Sequence, residues 1–457
     1  MSEKNLTRRD FIKSLGLASA GLPAIHVVGR IGQDELVRSE EKWGGFLIRR
    51  RAANDPPYEI DEEKFERFHE RNNMFGRSSW DEGYQADLAS VPDDIMQQKQ
   101  AAGVPGYSVV DDAFKNANWW LARNRGADPY GWVTEPNPVP PQLGDYSTAE
   151  ITNITKTAAL FFGASDVGVA ETDEKWFYQT LGRSEDSARP LVFDDVDVPI
   201  RGEEGPVVIP KKMNRVIALA YEMDYDAFLP NGISLLVGGS TGQGYSKMAF
   251  TTATLADFIR RLGYQAIPMG NDTGLSVPIS VDAGLGEQGR LGFLLTPKYG
   301  PRVRLSKVLT DMPLDVDSPI SFGVREFCEN CKLCGTYCPS GCIDVDGEVS
   351  YETYDINNME GVKKWQVNQY YCHKYWKESG AGCINCATVC PFNKPQGWLH
   401  DATRIMIGAK SGPLDALMKN LDEFAGYGGQ GEDPDPVAVE EFWTNKINKD
   451  FIHIKRS

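Results

Sequence analysis

The first 327 residues of this 457-residue chain contain no cysteine, and none follows residue 390. All nine fall between Cys328 and Cys390. A disulfide-stapled secreted fold spreads its cysteines along the chain, so that class is excluded. Histidine is scarce, five in all, which argues against a His-built metal site as the main chemistry. Basic residues are outnumbered: Lys plus Arg total 48 and Asp plus Glu total 64, a net charge of −16. A general nucleic-acid binder needs a basic footprint to release counterions, so no nucleic-acid partner is expected. No charge-free apolar run of about 18 residues or more occurs, so no convincing transmembrane helix is expected.

What is present suits a globular chain, 41% hydrophobic and 25% charged, long enough for two or three domains. Arg8-Arg9, followed by Phe11-Ile12-Lys13 and a short apolar stretch rich in Gly, Ala and Ser, resembles a twin-arginine export leader spanning residues 1–30. Ala18-Ser19-Ala20 and Leu22-Pro23-Ala24 are both candidate cleavage sites. Residues 31–148 are polar, aromatic-rich and weakly periodic, with a Pro-rich connector at 136–141. From 149 to 315 an α+β pattern is expected. Its helices are 149–163, with Ile151, Ile154, Ala158 and Phe161 on one face, and 246–262, ended by Gly263. Its strands are 207–209, 216–220, 266–268, 292–296 and 302–310. Asp315–Pro319 reads as the boundary to the cysteine region, 316–400. In the C-terminal segment, 401–457, the acidic Gly/Pro-rich stretch 426–442 reads as solvated surface.

Cys328-x2-Cys331-x2-Cys334-x3-Cys338-Pro339 is a complete bacterial ferredoxin run. In that run three thiolates hold one cube and the fourth is thrown to a second. A second set is therefore required, and Cys372-x10-Cys383-x2-Cys386-x3-Cys390-Pro391 provides it. The crossover assigns Cys328, Cys331, Cys334 and Cys390 to one [4Fe–4S] cluster and Cys338, Cys372, Cys383 and Cys386 to another. Two all-thiolate zinc sites are the alternative, but structural zinc sites use paired C-x2-C rather than this grammar. Cys342 is left over, as a small buried residue or an alternative ligand. Two clusters form an electron wire, which implies a redox centre at its end. Gly284-x-Gly286-x-x-Gly289 does not supply a dinucleotide site, because a strand rather than a helix follows; it reads as a tight backbone approach. Gly239–Lys247 has the wrong lysine spacing for a P-loop.

The leader, the cysteine-free α/β segment and the tandem ferredoxin runs together resemble the corrinoid-dependent reductive dehalogenases. So do Ala266-Ile267-Pro268, Ala283-Gly284-Leu285-Gly286, Gly300-Pro301-Arg302-Val303-Arg304-Leu305, Lys307-Val308 and Glu378-Ser379-Gly380. The resemblance implies a nitroreductase-like core around a base-off cobamide, with a bacterial ferredoxin-like two-cluster domain packed against it. It implies Tyr245 as proton donor, Arg304 beside it, and Asn271 completing the site. A guanidinium next to a phenol stabilises the phenolate, which eases proton release. Phe75, Trp119, Thr241 and Trp376 fall where the family places pocket walls, suited to flat apolar organohalides. Gly382 stands where a family member can carry a ring, which implies a roomier pocket. The resemblance also implies respiratory reduction of an organohalide, a respiratory electron donor, and docking to a small integral-membrane anchor protein on the outer face of the cytoplasmic membrane. A homodimer stays open. The rivals are an epoxyqueuosine reductase-like corrinoid enzyme, opposed by the leader and the acidic charge, and an exported ferredoxin-type carrier, which would not need the long cysteine-free segment.

Overall fold

The computed structural model describes residues 36–38, 47–51, 56–123, 143–202, 204–393 and 434–450. The leader, the Pro-rich connector and residues 401–433 lie outside them. The elements that position the site are α1 (Val109–Arg123), α2 (Thr148–Phe161), β1 (Asp166–Glu171), β2 (Arg215–Glu222), α3 (Leu235–Arg261), β3 (Ala266–Met269), α4 (Ser276–Asp282), β4 (Val303–Thr310), α5 (Val324–Cys331), α6 (Leu333–Thr336), α7 (Gln369–Glu378), α8 (Asn385–Thr388) and α9 (Pro436–Asp450). Helix and sheet are mixed throughout, as the α+β reading expects.

The central sheet runs in the order β1-β2-β4-β3, each neighbour antiparallel. β2 is apolar almost without interruption because both its faces are covered. Val216, Ala218 and Ala220 join one core layer with Val303, Leu305, Leu309 and α4. Ile217, Leu219 and Tyr221 join another with α2 and α3. Successive strand residues point to opposite faces, so one apolar run serves two layers.

Two helices differ from expectation. α2 starts at a capping box, Ser147 with Glu150, and buries Ile151, Thr152, Thr155 and Ala159. Ile154 and Ala158 are only half-buried, and Phe161 is 85% exposed. The helix ends there, and Phe162 packs on the core instead. α3 begins 11 residues before its expected start at Ser246, at Leu235, with the Ser234 side chain capping Val237 N. Glycine is a poor helix former, so the glycine-rich stretch 238–244 gives no helix signal. Packing explains the glycines. A Cβ on Gly239 would lie 2.4 Å from the Phe114 ring, and one on Gly242 2.5 Å from the Trp119 ring. α1 lies directly across these gaps. In an exposed helix Gly→Ala stabilises by about 1 kcal/mol. Gly242→Ala is instead expected to destabilise by about 1–3 kcal/mol through overpacking. Thermal unfolding checks this, and a raised Tm would refute the packing account.

Two further expectations change. The strand 292–296 shrinks to Leu294–Leu295, paired with Glu287–Gln288. The pairing confirms the tight approach read at 284–289: a Cβ on Gly286 would sit 2.1 Å from the Leu295 carbonyl oxygen. Asp315–Pro319, where the boundary to the cysteine region is read, is fastened to the core. The Asp317 carboxylate accepts from Lys156 Nζ at 2.6 Å and from Val169 N at 2.8 Å. The end of the acidic 426–442 stretch is not solvated, since it enters α9. Phe442 is buried against Phe114, and Trp443 Nε1 donates to Asp111 at 2.8 Å.

The cysteine region is clamped onto this core. Arg302 is buried and donates to Asn393 Oδ1 at 3.0 Å, to Glu222 Oε1 at 2.8 Å and to the Met223 carbonyl. Ile384 N donates to the Gly232 carbonyl at 2.8 Å. Among the described residues, no helix is long and apolar enough to cross a membrane.

Candidate active site

Tyr245 sits mid-way along α3, where its hydroxyl accepts from Asn271 Nδ2 at 2.5 Å. Trp119, from α1, stacks on its ring with centroids 4.9 Å apart at 26°. The Arg304 guanidinium, from β4, lies 5.4 Å from the same ring centre and donates to Thr241 Oγ1 at 3.3 Å. The close approach is again a glycine's doing: a Cβ on Gly244 would meet Arg304 Cγ at 2.7 Å. Residues from positions 119 to 304 thus converge on one phenol. The Arg304 Nε is buried without a hydrogen-bond partner among the described residues.

Tyr245, Asn271, Trp119 and Phe75 line a chamber of about 840 Å³. Ligand pockets run to roughly 300–1,000 Å³, so this one is sized for a large occupant. A smaller recess of about 160 Å³ shares Asn271, Ser276 and Val277 with it and takes in Arg304. Ile384 and Ala387, flanking Cys386, wall that recess. Thr241 and Trp376 are not on the chamber surface. Thr241 holds Arg304 from behind, while the Trp376 ring packs 5.9 Å from that of Phe75 and its Nε1 donates to the Cys383 carbonyl at 3.0 Å. A Cβ on Gly382 would meet nothing within 4 Å, so the space expected there is open.

Sequence reasoning missed the residue that anchors Asn271. Lys307 is fully buried, and its ammonium donates to the Gly270 and Gly274 carbonyls at 2.7 and 2.9 Å and to Ser276 Oγ at 3.0 Å. It staples both ends of the turn that carries Asn271. Burial pushes its pKa down to about 8, with Asp272 and Glu70 opposing. The signal was available: Lys307 interrupts the Val303, Leu305, Leu309 face of a strand with a charge.

Trp176 also lines the chamber, its Nε1 donating to Asp282 Oδ2 at 2.6 Å. Burial, and then the Asp173 charge, push the Asp282 pKa up to about 7 despite that bond. The folded protein therefore holds a proton here that the unfolded chain, with its carboxyl near 3.8, releases. Stability is lost as pH rises from about 4 to 7. Asp282→Asn keeps an acceptor for Trp176 and removes the charge. The variant is expected to melt higher than the parent above pH 7 and equal to it near pH 4. Parallel melting curves at both pH values would contradict this.

The nine cysteines are all free. Cys390 lies among Cys328, Cys331 and Cys334, while Cys386 neighbours Cys383 and Cys342 and then both Cys334 and Cys338. The short helices α6 and α8 carry Cys334 and Cys386 and pack on each other. Cys342 belongs to the second group: its Sγ is 3.4 Å from that of Cys338, and it also interacts with Cys372. Burial pushes Cys328 up to about 11 and both Cys334 and Cys383 to about 12. Buried thiolates need a strongly positive occupant, as iron–sulfur clusters provide. Among the described residues no group of three or more His, Cys, Asp or Glu is placed to hold a metal ion. Donor type and grouping suit two clusters. The chamber, the recess beside Cys386 and the orphaned Arg304 Nε suit a large planar cofactor between Tyr245 and the thiols.

No family model matches the chain. It is 38% identical over 324 residues to the tetrachloroethene reductive dehalogenase of Sulfurospirillum multivorans, covering 68% of this chain and 62% of that protein. It is 34% identical over 415 residues to one from Desulfitobacterium hafniense, covering 82% and 74%. The chain therefore spans between three-fifths and three-quarters of these relatives' length. Its fold matches a solved reductive dehalogenase whose structure suggests a mechanism for B12-dependent dehalogenation, with TM-score 0.61 and 20% identity over 83% of this chain and 48% of that one. An epoxyqueuosine reductase from Listeria monocytogenes matches only 27% of this chain, at 29% identity, and 31% of its own length. On this extent of shared sequence, the chain belongs to the reductive dehalogenases.

Proposed function

We propose that this chain replaces a halogen of an organohalide by hydrogen, as a corrinoid- and iron–sulfur-dependent terminal reductase of organohalide respiration. The observation that carries the reading is the Tyr245 hydroxyl, held by Asn271 beside Arg304 in the chamber wall. When bound, a base-off cobamide would supply the reducing chemistry at the carbon–halogen bond, fed by two [4Fe–4S] clusters. The thiols of the two groups would hold the clusters, and the chamber and recess walls would hold the cobamide. The four-stranded antiparallel sheet between helices supports a nitroreductase-like core, and the paired α6 and α8 support a ferredoxin-like cluster domain.

The net change consumes two electrons and one proton per halide released. Tyr245 delivers that proton as a positioned general acid. Arg304 stabilises the phenolate that remains and attracts the departing halide. Asn271 aims the hydroxyl, and because its side chain is exposed, water reaches the phenol to restore the proton. Trp119 and Phe75 exclude water from apolar substrate surface and select flat molecules. The leader-like residues 7–24 support export and docking to a small membrane-anchor protein, where a respiratory donor would supply electrons. Cell fractionation with and without Arg8-Arg9 tests that arm. The central test is an organohalide panel assayed with reduced viologen on corrinoid-loaded protein. Halide release matched by hydrogenated product is expected; iron and sulfide without corrinoid uptake or halide release would overturn the reading.

A further inference from the structure

One wall of the chamber is built from the strand pair Glu59–Ile60 and Val362–Lys363 and from the start of α7. It contributes Tyr58, Met359, Val362, Lys364 and Gln369. Among the charged residues lining the chamber, Glu70, Asp272, Arg123 and Arg183 come from other segments, and Lys364 is the charge on this wall. Unlike Lys363, which pairs with Glu59 at 2.9 Å, Lys364 has no side-chain hydrogen bond or ion pair among the described residues. Burial pushes its pKa down to about 8, and no neighbouring carboxylate opposes the shift. Tyr58, just before the paired strand, lines the same wall, and its buried hydroxyl has no partner among the described residues. α7 starts at Gln369; the Asn368 side chain caps Tyr371 N, and the N–H groups of Gln369 and Tyr370, which no helical carbonyl can satisfy, open beside the same wall.

A half-buried ammonium with no counter-charge is costly unless the chamber's occupant brings an anion. The type of anion follows from the donors. A planar carboxylate is matched by the fork of an arginine, whereas a lysine acts as a point charge that suits a tetrahedral phosphate. A helix N-terminus favours the same group. Resting on the corrinoid reading above, we propose that Lys364 and the start of α7 form a phosphodiester subsite that holds the nucleotide arm of the cobamide, keeping the arm against this wall and away from Tyr245. Cobinamide, which has the ring but lacks the nucleotide arm and its phosphodiester, provides the control.

The experiment is equilibrium dialysis of corrinoid-free, cluster-loaded full-length chain against cobalamin and, separately, cobinamide, read by corrinoid absorbance. The parent is expected to prefer cobalamin. Lys364→Met is expected to weaken cobalamin binding about ten- to a hundredfold, the value of one charge-assisted contact, and to leave cobinamide binding unchanged. Lys364→Arg should recover part of the loss. Unchanged cobalamin affinity in Lys364→Met, or equal loss for both ligands, would overturn the subsite. If the parent binds neither corrinoid, the corrinoid reading itself fails, and the subsite falls with it.

Discussion

Tyr245→Phe is expected to lower dehalogenation about a hundred- to ten-thousandfold while iron and corrinoid contents stay at parental levels. The substitution removes one oxygen and little else. The ring keeps its stack with Trp119 at 4.9 Å and its place under the Arg304 guanidinium at 5.4 Å. The bond lost is the one from Asn271, whose side chain is exposed, so water replaces the phenol as its partner and the fold pays little. A large fall in turnover is then a chemical effect, the loss of a proton donor. A fall in kcat with unchanged KM would locate it in the reacting step. Turnover within a few-fold of the parent would remove Tyr245 from the mechanism.

The second large effect concerns iron. Eight thiolates holding two cubes predict about eight irons per chain. Cys390→Ser is expected to lower this to about four, and so is Cys338→Ser. The pairing of losses is the sharper test. Cys390 sits with Cys328, Cys331 and Cys334, so adding Cys328→Ser to Cys390→Ser should cost no further iron. The crossover puts Cys386 in the other set, with Cys383 foremost among its neighbours, so adding Cys386→Ser should remove the rest. Effects within one cluster are not additive, whereas effects in separate clusters are. A Cys386/Cys390 double variant that kept four irons would sink the crossover, and zinc in place of iron would sink the clusters. Cys342→Ala should retain eight irons. The 3.4 Å contact with Cys338 makes that variant informative, because lost iron would promote Cys342 from neighbour to ligand.

The local parts of this architecture were legible wherever a pattern repeats over short distances. The buried strand 216–220 and the helix near 149 follow from apolar spacing. The errors share a cause. The first half of α3 is missed because Gly239, Gly242 and Gly244 are poor helix formers. Their reason for being there is across the interface, in Phe114, Trp119 and Arg304. Phe161 was placed inward by periodicity and points to solvent because the helix stops at that residue. The C-terminal stretch reads as polar surface until α1 supplies Phe114 as a partner for Phe442.

By itself the sequence determined which chemistry the chain can carry. The order of cysteines and the motif strings point to a reductive dehalogenase, and the thiol spacing is what the proposal of two iron–sulfur centres rests on. The tertiary structure alone decided which side chains meet. Asn271 reaches Tyr245 because a buried lysine, Lys307, pins its turn, and Lys364 faces the chamber because two short strands pair in one register. Spacing rules act over a few residues, while a site is made by contacts between positions far apart in the chain. Those contacts are selected by packing of whole layers, which no local pattern encodes.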